Sequence, residues 1–178
     1  MNDLLVKNGL VWFEHKWQKV NVAVLGEKIS YVGKDEPTAK EIVDASGKKV
    51  LPGLIDPHVH FELNCGRLTS VDDFYTGSVC AAYGGVTTIV DFLDPTSNAK
   101  DLEKSFYERL ELAKKCIVDY HMHACIKMPN GSLEEYVKTV VKLGMRTIKL
   151  FTTYSDTGRR TYEKDIKELL KLSKKYNR

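Results

Sequence analysis

Four short apolar segments recur along most of the chain at nearly equal intervals. They occupy residues 54–61, 87–94, 119–126 and 147–154, and they begin 33, 32 and 28 residues apart. The stretches between them have the apolar periodicity of amphipathic helices. A strand, a helix and the connection to the next parallel strand take about 30 residues. The pattern therefore predicts an α/β fold with a parallel sheet that is either doubly wound or curled into a barrel.

Local signals mark the ends of the predicted helices. Ser132 followed by Glu135 is a capping box, and Gly144 is the residue type that commonly follows a last helical turn. Ser70 is predicted to cap the first helix, and another helix is predicted from about Asp101 to Cys116. These helices alternate with the predicted strands, as a parallel sheet requires.

Residues 1–50 have a different pattern. Short runs of alternating apolar and polar residues are separated by turn signals at Asn8-Gly9, Gly26-Glu27 and Ser46-Gly47. Such spacing predicts a small antiparallel sheet or part of a β-sandwich. We therefore expect two domains, residues 1–50 and residues 51–178.

Charge and cysteine usage restrict the functional class. The 27 Lys and Arg residues exceed the 24 Asp and Glu residues by only three, which is too few to indicate a nucleic-acid partner. The lysine-rich end alternates with acids and apolar residues, as a solvated helix face does. Four cysteines without a C-x-x-C pair are typical of reduced thiols, and no apolar stretch approaches the ~18 residues of a membrane span. The sequence predicts a cytoplasmic protein without membrane or nucleic-acid partners.

The first apolar segment, "LPGLIDPHVHF", contains two histidines one residue apart. Alternate residues of a strand point to the same face, so His58 and His60 are predicted to project together. Two imidazoles in this arrangement can bind one metal ion. A pair of hydrogen-bonded core histidines is the alternative.

A lysine lies inside the last apolar segment, "TIKLFTTY". If Ile148 and Leu150 face the helices, Lys149 faces the other side of the sheet. One interpretation is an ion pair with a strand carboxylate, Asp91 or Asp56. The other is chemical, because desolvation and nearby cations favour a neutral amine, and such an amine can add carbon dioxide to form a carbamate ligand for metals.

Taken together, four segments resemble the cyclic amidohydrolases of the amidohydrolase superfamily. "PGLIDPHVHF", "DDFYTGSVCAAYGGVTTIVDF", "DYHMHACI" and "GMRTIKLFTTY" occur in the order and spacing of that family, and the resemblance covers essentially all 178 residues. The run from Asp73 to Gly77 and a tyrosine five residues after Lys149 are similar to the dihydropyrimidinase and hydantoinase branch.

The resemblance implies a role for each candidate site residue. His58 and His60 match ligands of the more buried metal, and Lys149 matches a carboxylated lysine that bridges two divalent cations. Zinc is the usual metal, with manganese, cobalt or nickel as alternatives. Tyr154 matches the donor to the substrate carbonyl, and Phe151 lines the pocket. The implied reaction is metal-dependent hydrolysis of a cyclic amide bond in a dihydropyrimidine or hydantoin ring, which gives an N-carbamoyl amino acid.

Substrate preference is partly readable from the loop after the histidines. Relatives that act on acidic rings, such as dihydroorotases, carry an arginine two residues after the second histidine, where this chain has Glu62. An acid repels an acidic substrate, so a neutral dihydropyrimidine or 5-substituted hydantoin is favoured, with allantoinase- or dihydroorotase-type activity as the alternative. Glu62 and Asn64 are expected to shape the pocket for the ring substituent, unless Glu62 is simply a solvated loop acid.

The family's site also uses histidines and an aspartate from later strands of a barrel with eight βα units. This chain shows four such units. The resemblance therefore implies the N-terminal half of a TIM-like (β/α)8 barrel, preceded by part of a small β-sandwich. We expect such a chain to be inactive alone and to form a homo-oligomer or need a complementary C-terminal half. A non-catalytic relative that acts as an interaction scaffold is a further alternative. His121 and His123 are interpreted as packed or supporting histidines.

Overall fold

A computed structural model describes residues 1–176. The chain divides into two compact units, Met1–Pro52 and a second unit that begins at Gly53. No helix among the described residues is long and apolar enough to cross a lipid bilayer.

The first unit contains seven strands in two sheets. The strands are β1 (Asn2–Lys7), β2 (Leu10–Phe13), β3 (Lys16–Lys19), β4 (Asn21–Leu25), β5 (Lys28–Gly33), β6 (Ala39–Asp44) and β7 (Lys49–Val50). Their orders are β5-β4-β1-β6 and β3-β2-β7. Both sheets are mixed, because β1 runs parallel to β6 and β2 runs parallel to β7. Of the two alternatives, a small antiparallel sheet is not what forms, although the β1–β4, β4–β5 and β2–β3 pairs are antiparallel. The parallel partners lie far apart in the chain, and local turn signals do not determine their direction.

The second unit alternates strands and helices, as predicted. Its elements are β8 (Leu54–Val59), α1 (Phe74–Tyr83), β9 (Val86–Phe92), α2 (Ala99–Ala113), β10 (Asp119–Cys125), α3 (Leu133–Lys142), β11 (Ile148–Lys149) and α4 (Glu163–Tyr176). The strands form one parallel sheet in the order β11-β10-β9-β8. The predicted α/β class with a parallel sheet is confirmed.

The stop at Gly144 and the N-cap role of Ser132 are confirmed, but the Glu135 carboxylate accepts from Lys138 Nζ at 3.1 Å and does not complete the predicted capping box. Ser132 caps α3 by accepting a hydrogen bond from the Glu135 backbone N–H at 3.2 Å, and Gly144 follows that helix with φ of 78°. The prediction for Ser70 is wrong, because α1 is capped by Asp73. The Ser70 hydroxyl instead accepts a hydrogen bond from the Leu63 N–H at 2.8 Å, which holds the preceding loop.

The fourth strand is much shorter than predicted. Only Ile148 and Lys149 pair with β10, opposite Ala124 and Cys125. Beyond them the chain turns, and Tyr154 has a left-handed φ of 63°. The apolar pattern of "TIKLFTTY" suits a longer strand, but β10 ends at Cys125, and the last bond to β11 runs from the Ile126 N–H to the Lys149 carbonyl at 2.9 Å.

The helices cover one face of the parallel sheet. Their buried residues Leu102, Tyr136, Val140 and Leu169 form one core with Met122 and Ala124 of β10, and Ile148 and Leu150 pack against that core. Since side chains alternate along a strand, the intervening residues of β10 and β11 lie on the opposite face. This opposite face carries the candidate site.

Candidate active site

The ring of Phe92, at the end of β9, is the centre of the candidate site. The His58 and His60 rings lie 4.6 Å and 4.8 Å from it between centroids, and they lie 5.2 Å from each other. The Lys149 Nζ lies 4.1 Å from the centroid of the same ring. The structure thus brings three side chains together around one aromatic ring: His58 of β8, His60 directly after β8, and Lys149 of β11.

His60 carries a polar atom that the described residues leave unsatisfied. Its Nδ1 is buried and has no hydrogen-bond partner among them. Burial lowers the pKa of His60 below its ordinary value, and the charges of Lys149 and His58 lower that pKa further. Both effects favour the neutral imidazole, which is the form that binds metals.

Asp56 and Asp91, the two carboxylates that the sequence offers as ion-pair partners of Lys149, have other partners in the structure. Asp56 accepts a hydrogen bond from the His58 N–H at 3.1 Å, and Asp91 pairs with Arg109 at 2.6 Å. Among residues 1–176, no carboxylate lies within 4.0 Å of the Lys149 amine. The lysine instead contacts the aromatic rings of Phe92 and Phe151, whose centroids lie 4.1 Å and 5.4 Å from Nζ.

The ion pair of Asp91 and Arg109 is a feature that the sequence reasoning missed. Both side chains are buried, at 0% and 6% exposure. Burial raises the pKa of Asp91, and the Arg109 charge opposes that rise. A signal was present in the sequence, because Arg109 lies seven residues after Leu102, within the apolar stripe of α2, where a charged residue needs a buried partner.

The two histidines of β10 differ in their surroundings. His123 packs on Phe92 at 4.6 Å, and its Nε2–H donates to the Pro57 carbonyl at 2.9 Å. Its Nδ1 is hydrogen-bonded to the Thr147 hydroxyl. Both ring nitrogens are thus occupied, whereas His121 is exposed. These contacts favour the interpretation of His123 as a supporting residue that joins β8 to the start of β11.

Phe151 and Tyr154 extend the site beyond Lys149. Their rings lie 6.0 Å apart at a steep angle, and Tyr154 is 53% exposed. The carbonyl of Tyr154 accepts hydrogen bonds from the Thr157 hydroxyl and the Arg159 N–H, which fix the turn. The phenol is therefore presented to solvent from a constrained backbone.

Glu62 and Asn64 lie in the loop that follows β8. Glu62 has a left-handed φ of 44°, and its Oε2 is buried without a hydrogen-bond partner among the described residues. It is thus not the fully solvated loop acid of the simpler interpretation. Asn64 is exposed, and its side-chain oxygen accepts a hydrogen bond from the Gly66 N–H at 2.7 Å.

The donor set near Phe92 suits a metal only if the lysine changes its chemistry. Residues 1–176 contain no group of three His, Cys, Asp or Glu side chains arranged to hold a metal ion. Two imidazoles are available, and a third ligand in this part of the chain would have to come from a carbamate on Lys149. The unbonded Nδ1 of His60 is consistent with such a site.

Sheet and site together define an α/β protein whose polar side chains gather at the carboxyl ends of parallel strands, where enzymes of this class keep their active sites. The chain belongs to the amidohydrolase family, whose sequence model matches residues 49–178.

Several known proteins are similar to this chain. It is 33% identical over 155 residues to a D-hydantoinase of Geobacillus stearothermophilus and 34% identical over 154 residues to a D-phenylhydantoinase of Escherichia coli O1:K1. Each alignment covers 85% of this chain and 33% of the relative. The crystal structure of a dihydropyrimidinase from Brevibacillus agri matches with a TM-score of 0.88 and 31% identity, covering 99% of this chain and 38% of that one. The resemblance to the hydantoinase and dihydropyrimidinase branch is confirmed, and the chain spans about a third of the length of these relatives.

Proposed function

We propose that this chain supplies part of the active site of a metal-dependent cyclic amidohydrolase that opens hydantoin or dihydropyrimidine rings. The observation that carries the proposal is the convergence of His58, His60 and Lys149 on the ring of Phe92, with the Nδ1 of His60 buried and unbonded. The similarity to proteins named D-hydantoinase and dihydropyrimidinase supports the same reaction class.

The residues that would hold the metals are the two imidazoles and a carboxylated Lys149. A carbamate would convert the lysine from a cation into an oxygen ligand. A lysine in that form needs no carboxylate partner, and none lies within 4.0 Å of it among residues 1–176. We propose two divalent cations, with zinc as the first candidate and manganese, cobalt or nickel as alternatives. Bound divalent cations of this kind lower the pKa of water towards ~7 and supply a nucleophile for hydrolysis.

The substrate would lie over Lys149, between Phe151 and Tyr154 on one side and the loop after β8 on the other. The Tyr154 hydroxyl would donate a hydrogen bond to the ring carbonyl oxygen as negative charge develops on it. Phe151 would pack against the ring, and Asn64 would contact its substituent. Because Glu62 is an acid with a desolvated oxygen, an anionic ring is disfavoured. A neutral dihydropyrimidine or 5-substituted hydantoin fits better, and the product would be an N-carbamoyl amino acid.

The open edges of the parallel sheet support a larger assembly. Strands β8 and β11 are the outer strands, and large apolar side chains on β8 and in the loop that follows it are exposed, including Leu54, Ile55, Leu68 and Val71. Unpaired edges and apolar patches favour association. We propose that the second unit is half of a (β/α)8 barrel and that residues 1–50 are part of a β-sandwich. We further propose that the chain alone is inactive and requires self-association or a complementary C-terminal half.

The four cysteines are unpaired in the structure, which supports a reducing compartment such as the cytoplasm. The small-molecule ring is the partner that the site suggests, and no described feature points to nucleic acid.

The first test of the proposal is metal retention by the purified chain. Zinc content is measured by elemental analysis in the unchanged chain and in the His58→Ala, Lys149→Ala and His121→Ala variants. We expect the first two variants to lose zinc, and we expect short carboxylic acids to restore part of it to the Lys149→Ala variant. His121→Ala is the matched control, because His121 is an exposed histidine of β10. Equal zinc content in all four proteins would refute the assignment.

The second test concerns activity. Ring opening of dihydrouracil and of a 5-substituted hydantoin is followed with zinc and bicarbonate present, together with sedimentation of the chain. We expect no turnover by the chain alone and a sedimentation profile of self-association. A compact monomer that hydrolyses either ring would show that the described residues suffice and that the proposed ligand count is wrong.

A further inference from the structure

A single buried arginine links the backbone after the histidine pair to the aromatic ring on which that pair packs. Arg109 projects from α2, and its Nε and Nη2 donate to Asp91 Oδ2 at 2.8 Å and 2.6 Å. Its Nη2 also donates to the Phe61 carbonyl, and its Nη1 lies 3.5 Å from the Glu62 carbonyl. The guanidinium lies 4.9 Å over the ring of Phe74. Nearly all donors of this side chain are thus used.

These contacts reach the candidate site by two routes. On the first route, the guanidinium holds the carbonyls one and two residues after His60, at the point where β8 gives way to its loop. On the second, Asp91 Oδ1 accepts a hydrogen bond from the backbone N–H of Phe92 at 2.8 Å. Phe92 is the ring on which His60 stacks, at 4.8 Å and 27° between planes.

The chemistry of arginine matters for this arrangement. A guanidinium is planar and carries donors in a fixed fork, so one side chain can bind a carboxylate and two carbonyls at once. A lysine at this position would keep the positive charge but would lack the planar set of donors that binds several acceptors at once. A buried ion pair is also a weak source of net stability, since apolar side chains of similar volume often serve as well or better. The contacts of Arg109 are therefore better explained by the geometry that they impose.

We propose that Arg109 and Asp91 are positioning residues that fix the orientation of His60 and Phe92 for ligand binding. The role in metal binding rests on the proposed function, whereas the role in fixing the His60 ring does not. Neither residue touches the reacting atoms, because both lie on the helix-covered side of the sheet.

The first readout needs no metal. The imidazole proton resonances of His60 are assigned by NMR in the metal-free chain, where stacking on Phe92 shifts them through the ring current. The variants are Arg109→Lys, which keeps the charge, and Asp91→Asn, which keeps the shape. The control is Leu172→Ala, which opens the same core on α4 without touching the ion pair. We expect both variants to move the His60 resonances and the control to leave them in place.

The second readout is the dissociation constant for zinc, measured by competition with a chromophoric chelator. Residues that orient metal ligands typically change metal affinity by about 10–100-fold when they are replaced. We expect a weakening of about tenfold or more in Arg109→Lys, with the control unchanged. Asp91→Asn provides the same test if Arg109→Lys does not give a cooperative unfolding transition.

The outcomes separate the two proposals. Unmoved His60 resonances together with unchanged zinc affinity in the folded variants would overturn the positioning role and leave the proposed function standing. Moved resonances in a chain that never binds zinc would support the positioning role and refute the proposed function. Equal effects in Leu172→Ala would show that general destabilisation is sufficient, which would also overturn the positioning role.

Discussion

The contact between Lys149 and Phe92 makes a quantitative prediction about the metal-free site. The amine lies 4.1 Å from the ring centroid, and Phe92 is 9% exposed while Lys149 is partly buried. No carboxylate among residues 1–176 lies within 4.0 Å of the amine to compete with the ring. The perturbation is a double-mutant cycle that combines Phe92→Leu with Lys149→Met.

The expected coupling energy follows from this geometry. A cation over an aromatic face is worth about 0.5–1 kcal/mol when exposed and about 2 kcal/mol when desolvated. The partial burial of Lys149 places the coupling near 1 kcal/mol, which is about a fivefold change in the unfolding equilibrium. Phe92→Leu alone should cost about 1–3 kcal/mol, because it also removes the stacking of the histidines. The cycle subtracts that larger loss and isolates the pair.

The assay is urea unfolding at equilibrium, in buffer that contains a chelator and is depleted of carbon dioxide. A control cycle combines Phe92→Leu with Lys167→Met, since Lys167 lies on the exposed face of α4 and pairs with Glu163. We expect that control coupling to be zero within error. Repeating the main cycle with bicarbonate tests the carbamate, because its formation removes the positive charge and should reduce the coupling.

A main coupling that equals the control coupling would refute the reasoning. It would mean that Lys149 does not lie over Phe92 in solution, and the convergence on which the proposed site rests would be lost. A coupling that bicarbonate leaves unchanged would contradict a carbamate in the absence of metal.

Three further predictions concern single side chains. Tyr136→Phe should destabilise the chain by about 1 kcal/mol in urea unfolding. The reason is that the buried hydroxyl donates to the Cys125 carbonyl at 3.0 Å and is hydrogen-bonded to Thr96 at 3.1 Å. An unchanged urea midpoint would contradict those bonds. Because burial lowers the pKa of His60 below 6.5, the unfolded chain takes up that proton first as the pH falls, so stability should decrease from about pH 6.5 downwards. With a chelator present, His60→Asn should flatten the stability-versus-pH profile below about pH 6.5. A variant profile identical to that of the unchanged chain would contradict the assignment of this pH dependence to His60. In an active preparation, Tyr154→Phe should lower kcat by about 10²–10³ with little change in zinc content, whereas a near-normal kcat would limit Tyr154 to lining the pocket.

The local features of this chain follow from its sequence. The N-cap at Ser132 and the glycine after α3 involve neighbours within a few residues, so their geometry is determined by local hydrogen bonds and φ preference. The shared face of His58 and His60 follows from the two-residue period of a strand. The alternation of strands and helices likewise predicted the parallel sheet, since parallel strands need a crossover connection.

Only the tertiary structure decided which distant groups meet. The sequence offered Asp91 as a partner for Lys149, but the helix that follows β9 brings Arg109 to Asp91 and leaves the lysine over Phe92. Phe92 carries no chemical signal in the sequence, but β9 lies between β8 and β10, which brings His58, His60 and His123 onto its ring. The length of the fourth strand is likewise a tertiary property, because only Ile148 and Lys149 of the predicted segment pair with β10. Such pairings depend on burial and contact between segments that are far apart in the chain, which local propensity and periodicity do not contain.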